Sequence, residues 1–270
     1  GVATAQPLSY FFEDEFARVL MQGMAEACDA AGAGLALVSA KNDERLAWNI
    51  QSALVDGFVL LCIEGGERLV ELTRERQLPF VALALGKPDP TVSAVGSDDY
   101  EGGILAAEHI VELGHRRVGV LALELDEQHE GPASLERIAE ATYSTARDRA
   151  HGYFEVFGRH GVRRKDIPVY ETRSTRESTW RGLEFLFSRP ERPTAILAMS
   201  DRVAMYALEW LKARKLRVPE DVSVIGYDGV PEAALCSPSL TTIEQPIAEI
   251  GRRAVQQILE GDGSVKRETL

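Results

Sequence analysis

The stretch Val218–Pro246, VPEDVSVIGYDGVPEAALCSPSLTTIEQP, carries the reading of the fold. Before it, a helix runs out of periodicity at Leu216, and Pro219 stops it. Val222, Val224 and Ile225 predict a short apolar strand, with Gly226 as its end. Asp228 comes directly after, which puts a carboxylate at the carboxyl end of a buried strand, where open α/β sheets meet their ligands. A second strand, Leu240–Ile243, runs through Gln245 into Pro246, a residue suited to the first position of a helix. A carboxylate at a strand end, followed by a chain that leaves one layer for another, predicts a binding cleft between two lobes.

The same rhythm extends outward. Leu35–Val38, 57–62, Phe80–Leu83, Arg117–Leu121 and Thr194–Ala198 are short strand-like runs. Between them lie helical patterns. In Asp201–Ala213 the apolar Val203, Ala204, Ala207, Leu208 and Leu211 share one face, and Ile247, Ile250, Ala254 and Ile258 do so in Ile247–Leu259. Strand–helix–strand repetition predicts α/β architecture with parallel sheets covered on both faces. Roughly ten strands in one open sheet would be near the upper limit, so two sheets are expected. Val2–Thr4 reads as too short for a first strand, and Val265–Leu270 as the start of something unfinished, which suggests a piece of a longer polypeptide. Residues 122–146 break the rhythm; they predict either a flap with a short helix near Leu135–Thr142 or a solvated insertion.

The 270 residues suffice for one large or two medium domains. The net charge of −12 opposes nucleic-acid binding by this chain itself. No apolar run is long enough to cross a bilayer, and the start lacks the pattern of a signal peptide. Cys28, Cys62 and Cys236 are odd in number and far apart, so reduced thiols and a cytoplasmic setting are expected rather than disulfides or zinc.

Several polar clusters are candidate ligand contacts, each with a plainer alternative. Arg147 and Arg149 open a helix whose dipole they oppose; a guanidinium fork on a polar ligand explains them, as does a surface ion pair. Asp228 suits two hydroxyl or amine donors, or simply a turn before Gly229. In Ser200-Asp201 one residue caps the following helix and Ser200 is also placed for a ligand. Tyr10, Phe11 and Phe12 offer rings for stacking, or a staple into a helix from Glu13. In Ser97-Asp98-Asp99 the choice is a helix cap or a ligand contact from Asp98. Catalytic and cofactor signatures are missing: Gly32-Ala33-Gly34 follows a helix and precedes a strand, the wrong order for phosphate binding, and the five histidines show no metal-ligand spacing. No catalytic residue, metal or cofactor is expected.

Three segments together resemble the ligand-binding core of the LacI/GalR (lactose-repressor) family of bacterial transcription regulators: Glu108–Leu121 (EHIVELGHRRVGVL), Arg147–Tyr153 (RDRAHGY) and Val218–Pro246. The resemblance covers nearly the whole chain. It implies two Rossmann-like lobes of the type I periplasmic-binding-protein kind, joined by three crossovers, here residues 1–114 plus 246–270 and residues 115–245. It also implies a small-molecule effector, sugar-like, bound between the lobes, and a homodimer that reaches operator DNA only through an N-terminal helix-turn-helix head absent from this sequence. Arg149 matches the family arginine that reaches the effector, Asp228 the carboxylate after the GYD turn, Phe11 and Phe12 the paired aromatics, and Gln245 the crossover. The sequence departs from the family at Ser200, where Asn is usual, at Ser97-Asp98, where Asp-Asn is usual, and at Glu177, which stands where a cleft aromatic is expected. The competing readings are a periplasmic sugar-binding protein of a transporter, with the same architecture, and an α/β enzyme, which the absence of any nucleophile or phosphate motif disfavours.

Overall fold

The computed structural model describes residues 1–39, 42–61, 66–84, 89–126, 129–261 and 264–270; Cys62 lies outside them. The chain divides into two units, Gly1–Asp98 with Pro246–Leu270, and Asp99–Gln245. Among the described residues it passes between them after Asp98 and again after Gln245.

The first unit begins with β1 (Val2–Thr4), α1 (Tyr10–Glu13), α2 (Glu15–Ala30), β2 (Leu37–Ser39), α3 (Asp43–Ser52), β3 (Phe58–Leu61), α4 (Gly66–Glu75), β4 (Phe80–Leu83) and β5 (Ala94–Gly96). The second unit holds α5 (Asp99–Glu112), β6 (Val118–Ala122), β7 (Gly131–Pro132), α6 (Leu135–Ala139), α7 (Ser144–Arg159), β8 (Val169–Glu171), α8 (Arg176–Ser188), β9 (Ala195–Ala198), α9 (Asp201–Ala213), β10 (Ser223–Asp228), α10 (Pro231–Leu235) and β11 (Thr241–Glu244). The chain then returns to the first unit as α11 (Ile247–Leu259) and β12 (Arg267–Thr269).

In the first unit the strand order is β12-β5-β4-β3-β1-β2, with every pairing among the described residues parallel. Val2–Thr4, expected to be too short for a strand, is a strand with a parallel neighbour on each side. Three residues suffice because all three are buried and both edges are hydrogen-bonded. Val265–Leu270 likewise contains an edge strand, β12 on β5. Helices α2 and α11 cross closely: a Cβ on Gly23 would strike the Ala248 carbonyl and one on Gly251 the Leu20 carbonyl. Phe58, Leu60, Leu69 and Ala82 pack in the core of this unit.

In the second unit the order is β11-β10-β9-β6-β8-β7. β6, β8, β9, β10 and β11 run parallel, so their carboxyl ends share one edge; only β7 is antiparallel. The chain order reverses direction between β6 and β9, and a sheet offers its ligand crevice at such a switch. All six residues of β10 are buried. The strand does not end at Gly226 but continues to Asp228, pairing Gly226 with Thr242. Gly226 marks a close approach instead, because a Cβ there would enter the Asp201 carboxylate.

The boundary near residue 114 moves to Asp98/Asp99 because α5 belongs with α7. A Cβ on Gly103 of α5 would strike the Arg149 carbonyl, and one on Gly152 of α7 the Tyr100 carbonyl, so glycines on both helices let the backbones meet. Residues 122–146 are not a solvated insertion. Leu125, Ile138 and Ala141 are buried in the same core as Phe154, Phe157 and Leu197. Glu171, fully buried at the carboxyl end of β8, accepts Arg137 Nε (2.6 Å) and Nη2 (3.0 Å), His129 Nδ1 (2.9 Å) and the Leu125 amide (2.8 Å). One carboxylate thus ties the segment to the sheet.

His115 joins the amino ends of the strands. Its Nδ1 lies 2.9 Å from Thr194 Oγ1 and its Nε2 3.0 Å from Ser223 Oγ. Thr194 donates its hydroxyl proton to the Arg117 carbonyl, so it accepts from Nδ1–H, and Nε2 accepts from Ser223. Burial holds the imidazole pKa below its ordinary value. A histidine with a lowered folded pKa leaves the unfolded chain binding more protons, so stability falls as pH drops through the unfolded value near 6.5. His115→Asn should flatten that part of the wild-type profile, measured as urea midpoints between pH 5 and 8.

Candidate functional site

Arg149 sits on α7 and is 4% exposed. Its side chain runs to the carboxyl edge of the second sheet, where Nη1 donates to the carbonyl of Met199, the residue after β9. Nε and Nη2 both lie 2.8 Å from Asp99 Oδ1. Nη1 is 3.9 Å from Asp228 Oδ1, and the guanidinium carbon stands 3.5 Å from the centre of the Tyr227 ring. Burial opposes the charge, but Asp99, Tyr227 and Asp228 outweigh it and hold the guanidinium pKa above its ordinary value. Burial also pushes the Tyr227 hydroxyl up to about 12. The same ring closes the floor: a Cβ on Gly102 would collide with the Tyr227 hydroxyl.

Asp228 ends β10 with φ 131°, a region that suits glycine, and Gly229 follows at φ 74°. Such a backbone costs about 1–3 kcal/mol and persists only where surrounding bonds fix it. Here Oδ1 accepts Gln245 Nε2 (2.8 Å), Oδ2 accepts the Asp201 amide (3.3 Å), and the Asp228 carbonyl accepts the Gln245 amide (3.0 Å). Asp228→Gly should therefore be more stable than Asp228→Ala by about 1 kcal/mol, because glycine relieves the strain while both lose the carboxylate. Denaturant midpoints of the two variants check this; equal midpoints would contradict it.

Ser200 and Asp201 divide their duties. Ser200 caps α9, its Oγ accepting the Val203 amide at 3.2 Å. Asp201, fully buried, turns back to the strands: Oδ2 accepts the amides of Gly229 (2.8 Å) and Val230 (2.9 Å), and Oδ1 the Thr242 hydroxyl (2.5 Å). Burial raises its pKa, and those donors pull the other way.

The structure thus brings Arg149, Asp228, Gln245 and Ser200 to one edge of the second unit. Arg147 is elsewhere: two helical residues from Arg149 is more than half a turn of rotation, and its Nε pairs with Asp148 at 2.9 Å. The helix begins at Ser144, not at Arg147, so neither arginine lies at its first residue and the expected dipole conflict falls away. Glu177 is exposed in the first turn of α8, where a carboxylate offsets the dipole. In the first unit Phe11 is 2% exposed, tilted against Tyr10 at 6.1 Å, whereas Phe12 is 63% exposed. The helix expected from Glu13 onward starts at Glu15 as α2, which Asp14 caps through the Ala17 amide, and the aromatic residues before it form the single turn α1. Asp98 is exposed and ends the first unit. Its neighbour Asp99 is the residue that meets Arg149. Asp99, Tyr227 and the Met199 carbonyl were not singled out in the sequence; only the run Ser97-Asp98-Asp99 pointed toward the first. Among the described residues no group of three histidine, cysteine or carboxylate side chains is placed to hold a metal, and no helix is long and apolar enough to cross a membrane.

A parallel sheet with a polar cluster at its carboxyl edge defines a ligand-binding domain, and residues 107–267 match the periplasmic binding protein-like domain. An HTH-type transcriptional regulator of Mycobacterium tuberculosis is 33% identical over 267 residues, 96% of this chain and 73% of that protein. A LacI-family transcriptional regulator from Corynebacterium glutamicum superposes with a TM-score of 0.90 at 28% identity, over 100% of this chain and 82% of that one. The regulator CelR in complex with cellobiose gives 0.85 at 26%, over 100% and 80%. The chain belongs to the LacI family of transcriptional regulators, and it is the effector-binding core.

Proposed function

We propose that this chain senses a small polar, sugar-like effector on the Arg149–Asp228–Gln245 cluster, acts as a homodimer, and thereby sets how a cytoplasmic regulator holds its operator DNA. The observation that carries the reading is the meeting of a buried guanidinium and a strained carboxylate, 3.9 Å apart, at the carboxyl edge of a parallel sheet. Backbone strain at such an edge is characteristic of binding sites. The cellobiose bound by CelR supports a sugar as the ligand class. The net charge of −12 supports assigning DNA contact to a separate basic head rather than to this chain. The named relatives are regulators, which supports binding rather than catalysis.

A ligand held only by the folded state raises the melting temperature, and does so logarithmically with its concentration above Kd. Thermal-shift measurements over sugars, polyols and purines should find a stabilising sugar, and calorimetry should show Asp228→Ala losing about 2–5 kcal/mol of its affinity. Wild-type affinity in Asp228→Ala, or no shift with any member of the panel, would refute the assignment. Sedimentation should give a dimer mass that falls on dilution; a monomer at every concentration contradicts the dimer.

A further inference from the structure

We propose that Asp99 determines the charge class of the effector: it neutralises Arg149 and makes the site select uncharged or amine-bearing ligands over anionic ones. This rests on the reading of the Arg149–Asp228 cluster as the effector site.

A free guanidinium at a sheet edge is a receptor for carboxylate or phosphate, which it grips with paired N–H donors. Arg149 is not free. Nε and Nη2 are directed at Asp99 Oδ1, both at 2.8 Å, and Nη1 donates to the Met199 carbonyl. One face of the group is covered by the Tyr227 ring. Two carboxylates and one guanidinium leave the cluster with an excess negative charge. Exposure orders these groups in the same sense: the Arg149 side chain is 4% exposed, that of Asp228 9% and that of Asp99 19%. An arriving ligand therefore meets carboxylate oxygens before guanidinium nitrogens. Asp99 directs one oxygen at Arg149, and a carboxylate with two oxygens accepts about four hydrogen bonds, so it retains capacity for a ligand hydroxyl or ammonium. Arg147, on the same helix, does not restore positive charge, since it is paired with Asp148. An anionic ligand would lie against like charge in a poorly solvated site, which is strongly unfavourable.

Calorimetry tests this with two matched series, glucose, glucosamine, glucuronate and glucose 6-phosphate, and cellobiose with cellobionate, on wild type, Asp99→Asn and Asp99→Glu. Asp99→Asn keeps the shape and an acceptor for Arg149 but removes the charge; Asp99→Glu keeps the charge. In wild type the anionic member should bind at least about tenfold more weakly than its uncharged partner, a gap set by like-charge repulsion. Asp99→Asn should narrow or invert that gap, and Asp99→Glu should retain it. Far-UV spectra and melting curves show that the variants fold, and a merely structural role would lower all affinities together without moving the ratio. Equal binding of anionic and neutral members by wild type, or an unchanged ratio in Asp99→Asn, overturns the assignment to Asp99 and leaves the effector site standing. Failure of either series, and of the wider sugar, polyol and purine panel, to bind wild type rejects the effector site itself, and this inference with it.

Discussion

Arg149→Ala should destabilise the protein by about 3 kcal/mol, the low end of what removing one partner of a buried ion pair costs. The low end applies because Asp99 keeps 19% of its side chain exposed and can recover some solvation. The Met199 carbonyl and the Tyr227 ring lose their partner as well. Removal of the long side chain leaves a void beside Tyr153 and Tyr227, both 1% exposed, which adds to the loss. Effector affinity should fall in parallel. Arg149→Lys separates the two effects: a lysine restores charge beside Asp99 but cannot reproduce the planar fork, so it should recover part of the stability and little of the affinity. Urea denaturation and calorimetry on the same samples make the comparison. An Arg149→Ala variant with wild-type stability would show that the buried pair contributes nothing.

Glu171→Ala should cost about 3 kcal/mol, since it leaves the Leu125 amide without its acceptor and strips the Arg137 guanidinium of two hydrogen bonds, leaving it, among the described residues, only Asp126 at 3.1 Å. The Glu171 side chain is wholly inaccessible, so no solvent replaces it. The effect should be local first. The Leu125 carbonyl receives the amides of Thr142 and Tyr143, so the segment's far end is tied to the same residue that Glu171 holds. Limited proteolysis should therefore cut within residues 123–141 in the variant and not in wild type, with a denaturant midpoint well below wild type. Arg137→Ala should give the same cleavage pattern to a smaller extent, because its partner Glu171 retains His129 and the Leu125 amide. Unchanged protease resistance in Glu171→Ala would dismiss the tether.

Periodicity made most of the architecture legible. Apolar faces in α9 and α11 and short buried runs such as Phe80–Leu83 and Ala195–Ala198 read directly as alternating helix and strand. What escaped was decided by tertiary contact. Val2–Thr4 is a strand because its neighbours supply both ladders, and a three-residue run has no pattern of its own. Val169–Glu171 was overlooked because it is equally short and ends in a charge that belongs to Arg137. Gly226 looked like a stop, whereas the missing Cβ makes room for Asp201. At the candidate site Arg149, Asp228 and Gln245 could be picked out, yet Asp99 could not be told from Asp98. Adjacent residues at a helix entrance differ in sequence by nothing that reveals which one turns toward α7.

Asp99 is the first residue of the second unit and Gln245 the last. Asp99 binds Arg149 directly, and Gln245 binds Asp228, which faces the same guanidinium. The first and last residues of the second unit are thus both tied into the cluster around one guanidinium. Loosening either contact alters the surroundings of the other, because both converge on Arg149.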